Sequence, residues 1–93
     1  MSDAYKLKLH LAQRRADQWN VMADDEGEYV RYHPVIDESE YRLTRTTSKA
    51  WVLDSGDILV NIRGLSGGVS LDALSPASGE EIYRMMIEEG EDP

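Results

Sequence analysis

The sequence predicts an α+β fold: a helix at each end, an antiparallel sheet of about four strands between them, and both helices packed on the same sheet face. Three observations carry this. The first 26 residues hold neither glycine nor proline. Asp54-Ser55-Gly56-Asp57 lies between two apolar runs, Ala50 to Leu53 and Ile58 to Ile62, which is the pattern of a hairpin with a left-handed glycine in its turn. Near the end, Ser75-Pro76 and the pair Ser78 and Glu81 each offer a helix start.

Helical spacing over residues 3–23 puts Tyr5, Leu9, Ala12, Ala16, Trp19 and Ala23 on one face, with Lys6, Gln13, Asp17 and Asn20 largely opposite. Ser2 can cap this helix and Asp24-Asp25-Glu26-Gly27 ends it, although acids oppose the dipole there. Residues 5–11 also alternate as a half-buried strand does, so strand-then-helix stays open. Glu28 to His33 reads as a short strand stopped by Pro34, and Tyr41 to Thr47 as a second. The hairpin follows, then a loop from Gly64 to Gly68 and a short strand at Val69 to Leu71. In the last helix Ile82, Met85 and Met86, flanked by Tyr83 and Ile87, form a wide apolar stripe, with Ile82 and Met86 expected against the sheet. Where the stripe is wider than the sheet can cover, an exposed Met and Ile strip is an adaptable partner surface. Gly90 stops the helix. Residues 1–93 are read as one domain, with 1–2 and 91–93 frayed.

Composition narrows the function. The chain has 93 residues, a net charge of −8 and no cysteine, which excludes disulfide frameworks, thiolate metal sites and cysteine nucleophiles. No apolar run exceeds four residues, so neither a membrane span nor a signal-peptide core is expected, and a cytoplasmic location follows as the expectation. Phenylalanine is absent, so aromatic bulk comes from Trp19, Trp51 and five tyrosines. Charge is segregated: residues 24–40 and 64–93 are acidic blocks, while 1–23 and 41–63 are mildly basic.

The tests for chemistry point away from an enzyme. His10 and His33 have no acid or cysteine at metal-ligand spacing. Asp24-Asp25-Glu26-Gly27-Glu28 lacks the alternating ligands and distal glutamate of a calcium loop. Gly64-Leu65-Ser66-Gly67-Gly68 is neither a P-loop nor a nucleophile elbow. The remaining carboxylates fall in turns and helix termini, where solvation is expected. No catalytic residue, cofactor or metal is therefore assigned. Lys6, Lys8, Arg14 and Arg15 make a weak nucleic-acid footprint on so acidic a chain, and direct nucleic-acid binding is not expected. Two partner surfaces remain. The acids Asp24, Asp25, Glu26 and Glu28 could imitate a phosphate backbone for a protein that handles DNA or RNA. The aromatic residues Trp19, Tyr29 and Trp51 could anchor a protein contact. A homodimer stays open.

One stretch carries a resemblance. Gly56-Asp57-Ile58-Leu59-Val60, followed by Gly67-Gly68-Val69-Ser70-Leu71-Asp72-Ala73-Leu74-Ser75-Pro76 and an acidic helix reaching Glu81, resembles small accessory, non-structural proteins of bacteriophages infecting actinobacteria. It covers about a third of the chain. The resemblance implies an early or non-structural phage product of a group in which some members are toxic by binding host proteins. The function expected is accordingly non-enzymatic binding of a host cytoplasmic protein, which it inhibits or modulates, with the acidic nucleic-acid mimic as the alternative. Less favoured is an antitoxin or DNA-binding regulator using the basic N-terminal helix.

Overall fold

The structure, a computed structural model, describes residues 3–23, 27–35 and 39–90. Helix α1 runs Asp3–Met22, so residues 5–11 are helical and the strand alternative is set aside. Strands β1 (Tyr29–Tyr32), β2 (Arg42–Arg45), β3 (Trp51–Val52), β4 (Ile58–Val60) and β5 (Val69–Ser70) follow. A 3-10 turn, Leu71–Ala73, leads into β6 (Leu74–Pro76), and α2 (Gly79–Gly90) closes the described chain. The α+β class with a helix at each end is what the structure shows.

The strands divide into two antiparallel three-stranded sheets, ordered β2-β1-β6 and β3-β4-β5. In the first, Tyr29 faces Arg45, Val30 faces Thr44 and Arg31 faces Leu43. In the second, Trp51 faces Leu59, which in turn faces Ser70. The two sheets meet where Thr46 bridges Ile62, with Thr47 N–H donating to Asn61 O and Arg63 N–H to Arg45 O. The β3–β4 turn is the expected one: Gly56 has φ +92°, and Leu53 N–H donates to Asp57 O at 2.8 Å.

Alternation explains where the core lies. Ile58 and Val60 point to the same side of their sheet, and α1 lays Ala12 and Ala16 on them, with Ala50 and Leu71 closing the cluster. Alanine at both α1 positions lets the helix approach closely. Helix and sheet are also tied by one side chain. Asn20 Nδ2 donates to Ala50 O at 3.0 Å, while its Oδ1 accepts from Ala50 N–H at 2.7 Å. Asn20 therefore faces the sheet and not solvent, where coarse helical spacing had placed it. The body extends 54 × 28 × 24 Å, and the largest fully buried side chains are only Val30 and Val60.

The C-terminal region departs from expectation in two ways. Ser75-Pro76 belong to β6, where Ser75 pairs with Arg31, so the proline sits on an edge strand rather than at a helix start. The helix begins instead at the second serine: Ser78 Oγ accepts from Glu81 N–H at 3.1 Å, and Glu81 Oε1 accepts from Ser78 N–H at 2.9 Å. That reciprocal pair is a capping box. The second departure is the orientation of α2. It packs against β1 and β2 of the first sheet, whereas the core cluster of α1 lies on the second. Its acids Glu81 and Glu89 face the protein, while Tyr83, Met86 and Ile87 are 67%, 55% and 41% exposed. The stripe expected in the core is therefore largely outside, and of its two inward residues Ile82 is half-buried and Met86 is not buried.

Candidate interaction site

The inverted seating of α2 follows from the sheet beneath it. Tyr29, Arg31, Leu43 and Arg45 share one face of β1 and β2 by register. That face holds two guanidiniums and a phenol, so the helix meets it with carboxylates. Glu81 accepts from Arg31 Nε at 2.8 Å and from Tyr41 Oη at 2.8 Å, and Arg31 Nη2 lies 2.6 Å away. Glu89 accepts from Tyr29 Oη at 2.8 Å, Arg45 Nη1 at 3.0 Å and Arg63 Nη1 at 3.1 Å. The Arg31 and Arg45 guanidiniums lie 4.7 Å and 4.6 Å from the ring centres of Tyr41 and Tyr29, adding cation–π attraction.

These contacts change the acids. The Ser78 N–H, then Arg31 and Tyr41, hold the Glu81 carboxyl down to about 2, and donation from Tyr29 followed by the nearby arginines also lowers Glu89. Tyr29 and Tyr41 are raised, first by donating to those carboxylates. The expectation of ordinary, solvated carboxylates is thus corrected for these two. Glu81, depressed in the folded state, makes a contribution that is fully present above about pH 4.5, the ordinary glutamate value, and is lost as pH falls toward about 2; Glu89, also lowered, loses its contribution on the same acid side. Acidification should therefore release α2 while α1 stays docked on its apolar cluster. Amide chemical shifts recorded through that window should lose helical character over 79–90 before 3–22. Loss in the reverse order would contradict this account.

The residues nominated from sequence separate in space. Asp24, Asp25 and Glu26 lie outside the described residues. Glu28 is half-buried, its N–H donating to Thr46 Oγ1 at 2.8 Å. Trp19, Glu28 and Tyr29 come together in a largely apolar cleft of about 280 Å³ with Met22, Ala23, Val30 and Pro76. Trp19 packs against the core, and its buried Nε1–H has no hydrogen-bond partner. The Tyr29 hydroxyl is committed to Glu89. Neither aromatic therefore stands out as a free anchor.

Trp51 does. It lies on the sheet face turned away from Ile58, Val60 and α1, directly opposite Leu59. Its indole lies over Gly68: a Cβ added there would fall 2.7 Å from Trp51 Cη2 and 2.9 Å from Leu59 Cβ. Trp51 is 36% exposed, and Leu53 and Leu65, on the neighbouring turn and loop, are also exposed. The absent side chain at Gly68 is what lets the indole approach the backbone there, leaving a large apolar ring partly exposed against Gly68 and Leu59.

Two features bear on other chemistries. His33 Nε2 and Ser75 Oγ lie 2.8 Å apart, a contact that their separation in sequence hides; neither lines the cleft above. Among the described residues no group of three His, Cys, Asp or Glu is placed to hold a metal ion, and no helix is long and apolar enough to cross a membrane. Comparison with known protein families, curated proteins and solved structures returns no match for this chain.

Proposed function

We propose that this chain is a non-enzymatic accessory protein that acts by binding another protein, in the phage setting a cytoplasmic host protein that it inhibits or modulates. The observation supporting this reading is Trp51, held half in the open on Gly68 and Leu59 on a sheet face that α1 does not cover. Tryptophan on a pre-set platform is the side chain most often found at the energetic centre of protein interfaces, because it buries much area while losing little rotamer freedom. The competing idea, imitation of a phosphate backbone, draws less support, since Glu81 and Glu89 of the second acidic block are already spent on Arg31, Arg45 and Arg63.

The test is retention of host proteins on immobilised chain, compared among wild type, Trp51→Ala and Gly68→Ala, with unfolding midpoints measured alongside. Trp51→Ala should weaken retention of the specific partner by about thirtyfold, the effect of losing a hot spot. Gly68→Ala, which displaces the indole without deleting it, should weaken it as well. Retention that survives both substitutions but vanishes in moderate salt would overturn the Trp51 reading in favour of the acidic one.

A further inference from the structure

We propose that the open edge of β2 takes an extended peptide segment as an added antiparallel strand, and that this segment carries a carboxylate placed for Arg42. No residue of this edge belongs to the Trp51 platform, so the inference goes beyond the function proposed above and does not rest on it.

Hydrogen-bond parity locates the edge. Thr46 N–H donates to Glu28 O, and Arg63 N–H donates to Arg45 O on the other side of the strand. In an antiparallel pair, the groups bonded to one neighbour belong to alternate residues. With Val30 opposite Thr44 and Tyr32 opposite Arg42, residues 42, 44 and 46 therefore point their peptide groups at β1, while Leu43 and Arg45 point theirs away. Arg63 meets Arg45 O, but the chain then turns off at Arg63 and Gly64, where φ is +88°. The N–H and C=O of Leu43 are left without a partner among the described residues. At the margin of the other sheet, Asn20 engages the corresponding groups of Ala50; among the described residues no side chain does so at Leu43. Unpaired groups of this kind are what an incoming strand bonds to. An antiparallel strand meets both with a single residue.

Side chains are provided for on both faces. A strand sends successive side chains to opposite faces, and a cleft flanks this edge on each. On the α2 face about 300 Å³ opens among Leu43, Arg45, Arg84, Met85 and Glu88. On the opposite face about 240 Å³ opens among Tyr32, Arg42, Thr44 and Ile62. Leu43, Thr44 and Arg63 border both clefts. A peptide residue set opposite Leu43 thus enters the first cleft, and its two neighbours enter the second.

Charge names the occupant. On the α2 face the cations are balanced: Glu89 is shared by Arg45 and Arg63, and Glu88 follows Arg84 by one helical turn. The opposite cleft holds Arg42 and Arg63 and no acid. Arg42 is exposed, lies 5.6 Å from the ring centre of Tyr32, and makes no ion pair among the described residues. A peptide carboxylate beside Arg42 makes a favourable cross-strand pair, while the residue facing Leu43 and Met85 is apolar. The same arginines disfavour a second copy of β2, which would bring Arg42 and Arg63 of both chains to one seam.

The test titrates a short blocked peptide, alternating glutamate with valine, into the isotope-labelled full chain and follows its amide chemical shifts. Saturable shifts should centre on Arg42 to Arg45, and exchange of the Leu43 amide should slow as it gains an acceptor. Methylating the valine backbone nitrogens, or replacing the glutamates by lysines, should each weaken binding by at least about tenfold. Both changes leave the protein untouched. Arg42→Glu, at an exposed position, should weaken binding as much with the unfolding midpoint preserved, whereas Trp51→Ala should leave it unchanged. The proposal is overturned by no shift up to about 1 mM peptide, by shifts centred elsewhere, or by equal affinity for the methylated or lysine peptides. Shifts at Leu43 produced by concentrating the chain alone would overturn it too, because a second copy would then occupy the edge.

Discussion

Gly27→Ala is expected to lower the stability of this protein by about 3 kcal/mol, which is large for a domain of this size. Two costs coincide at this position. Gly27 has φ +111°, a conformation that a side chain disfavours, and a Cβ there would overlap the carbonyl oxygen of Thr46. Thr46 cannot easily yield. Its N–H donates to Glu28 O and its Oγ1 accepts from Glu28 N–H, and it bridges Ile62, where the two sheets join. Gly64→Ala is the matched control, since Gly64 also has a positive φ, +88°, but nothing lies within 4 Å of its added Cβ. That change should cost only about 1 kcal/mol. Equal costs at the two glycines in urea unfolding would mean that the Thr46 junction does not constrain the chain.

Val60→Ala should cost about 2–3 kcal/mol, combining the transfer term for two lost methyl groups with the cavity left between β4 and α1. Val60 is fully buried and sits in the cluster with Ala12, Ala16, Ile58 and Leu71. Ala12 and Ala16, on the helix side, are small, so few atoms there can move in to fill the space. Met86→Ala, by contrast, should shift stability by no more than about 0.5 kcal/mol because Met86 is largely solvated. The same denaturant series reads both variants. A costly Met86→Ala would place the α2 stripe in the folded core of the single chain.

Comparing these residues shows what the sequence could and could not reveal. The hairpin was legible because its signal is local: Gly56 must be left-handed, and the apolar runs lie on either side of it. Helix α1 was legible because nothing in its residues breaks a helix. The error over α2 has a different origin. A hydrophobic stripe identifies which side of a helix is apolar, and burial of that side is then assumed; the structure shows a sheet face that prefers carboxylates. The signal was present in part, since Tyr29 and Arg31 share one parity of β1, and Leu43 and Arg45 one parity of β2. Finding it required pairing β1 with β2 and then with a helix some 40 to 60 residues away. The Ser75-Pro76 strand was hidden for a similar reason: its local chemistry suits a helix start, and only the pairing with β1 makes it a strand. Trp51 was legible as a candidate by type alone. Gly68, the residue that positions it, carries no local mark of that role.

The Asn20 bracket on Ala50 has a consequence for biosynthesis. A residue with an unpaired N–H and C=O on the margin of a sheet is where a foreign strand can add, and here the Asn20 side-chain amide engages both groups of Ala50. Asn20 precedes Ala50 by 30 residues, so the ribosome releases α1 well before it finishes the strand whose border α1 seals. The cap is already waiting when its substrate emerges. A circularly permuted chain in which α1 is made last would expose that border for the whole of synthesis, and its yield of soluble protein should fall even if its finished fold were identical.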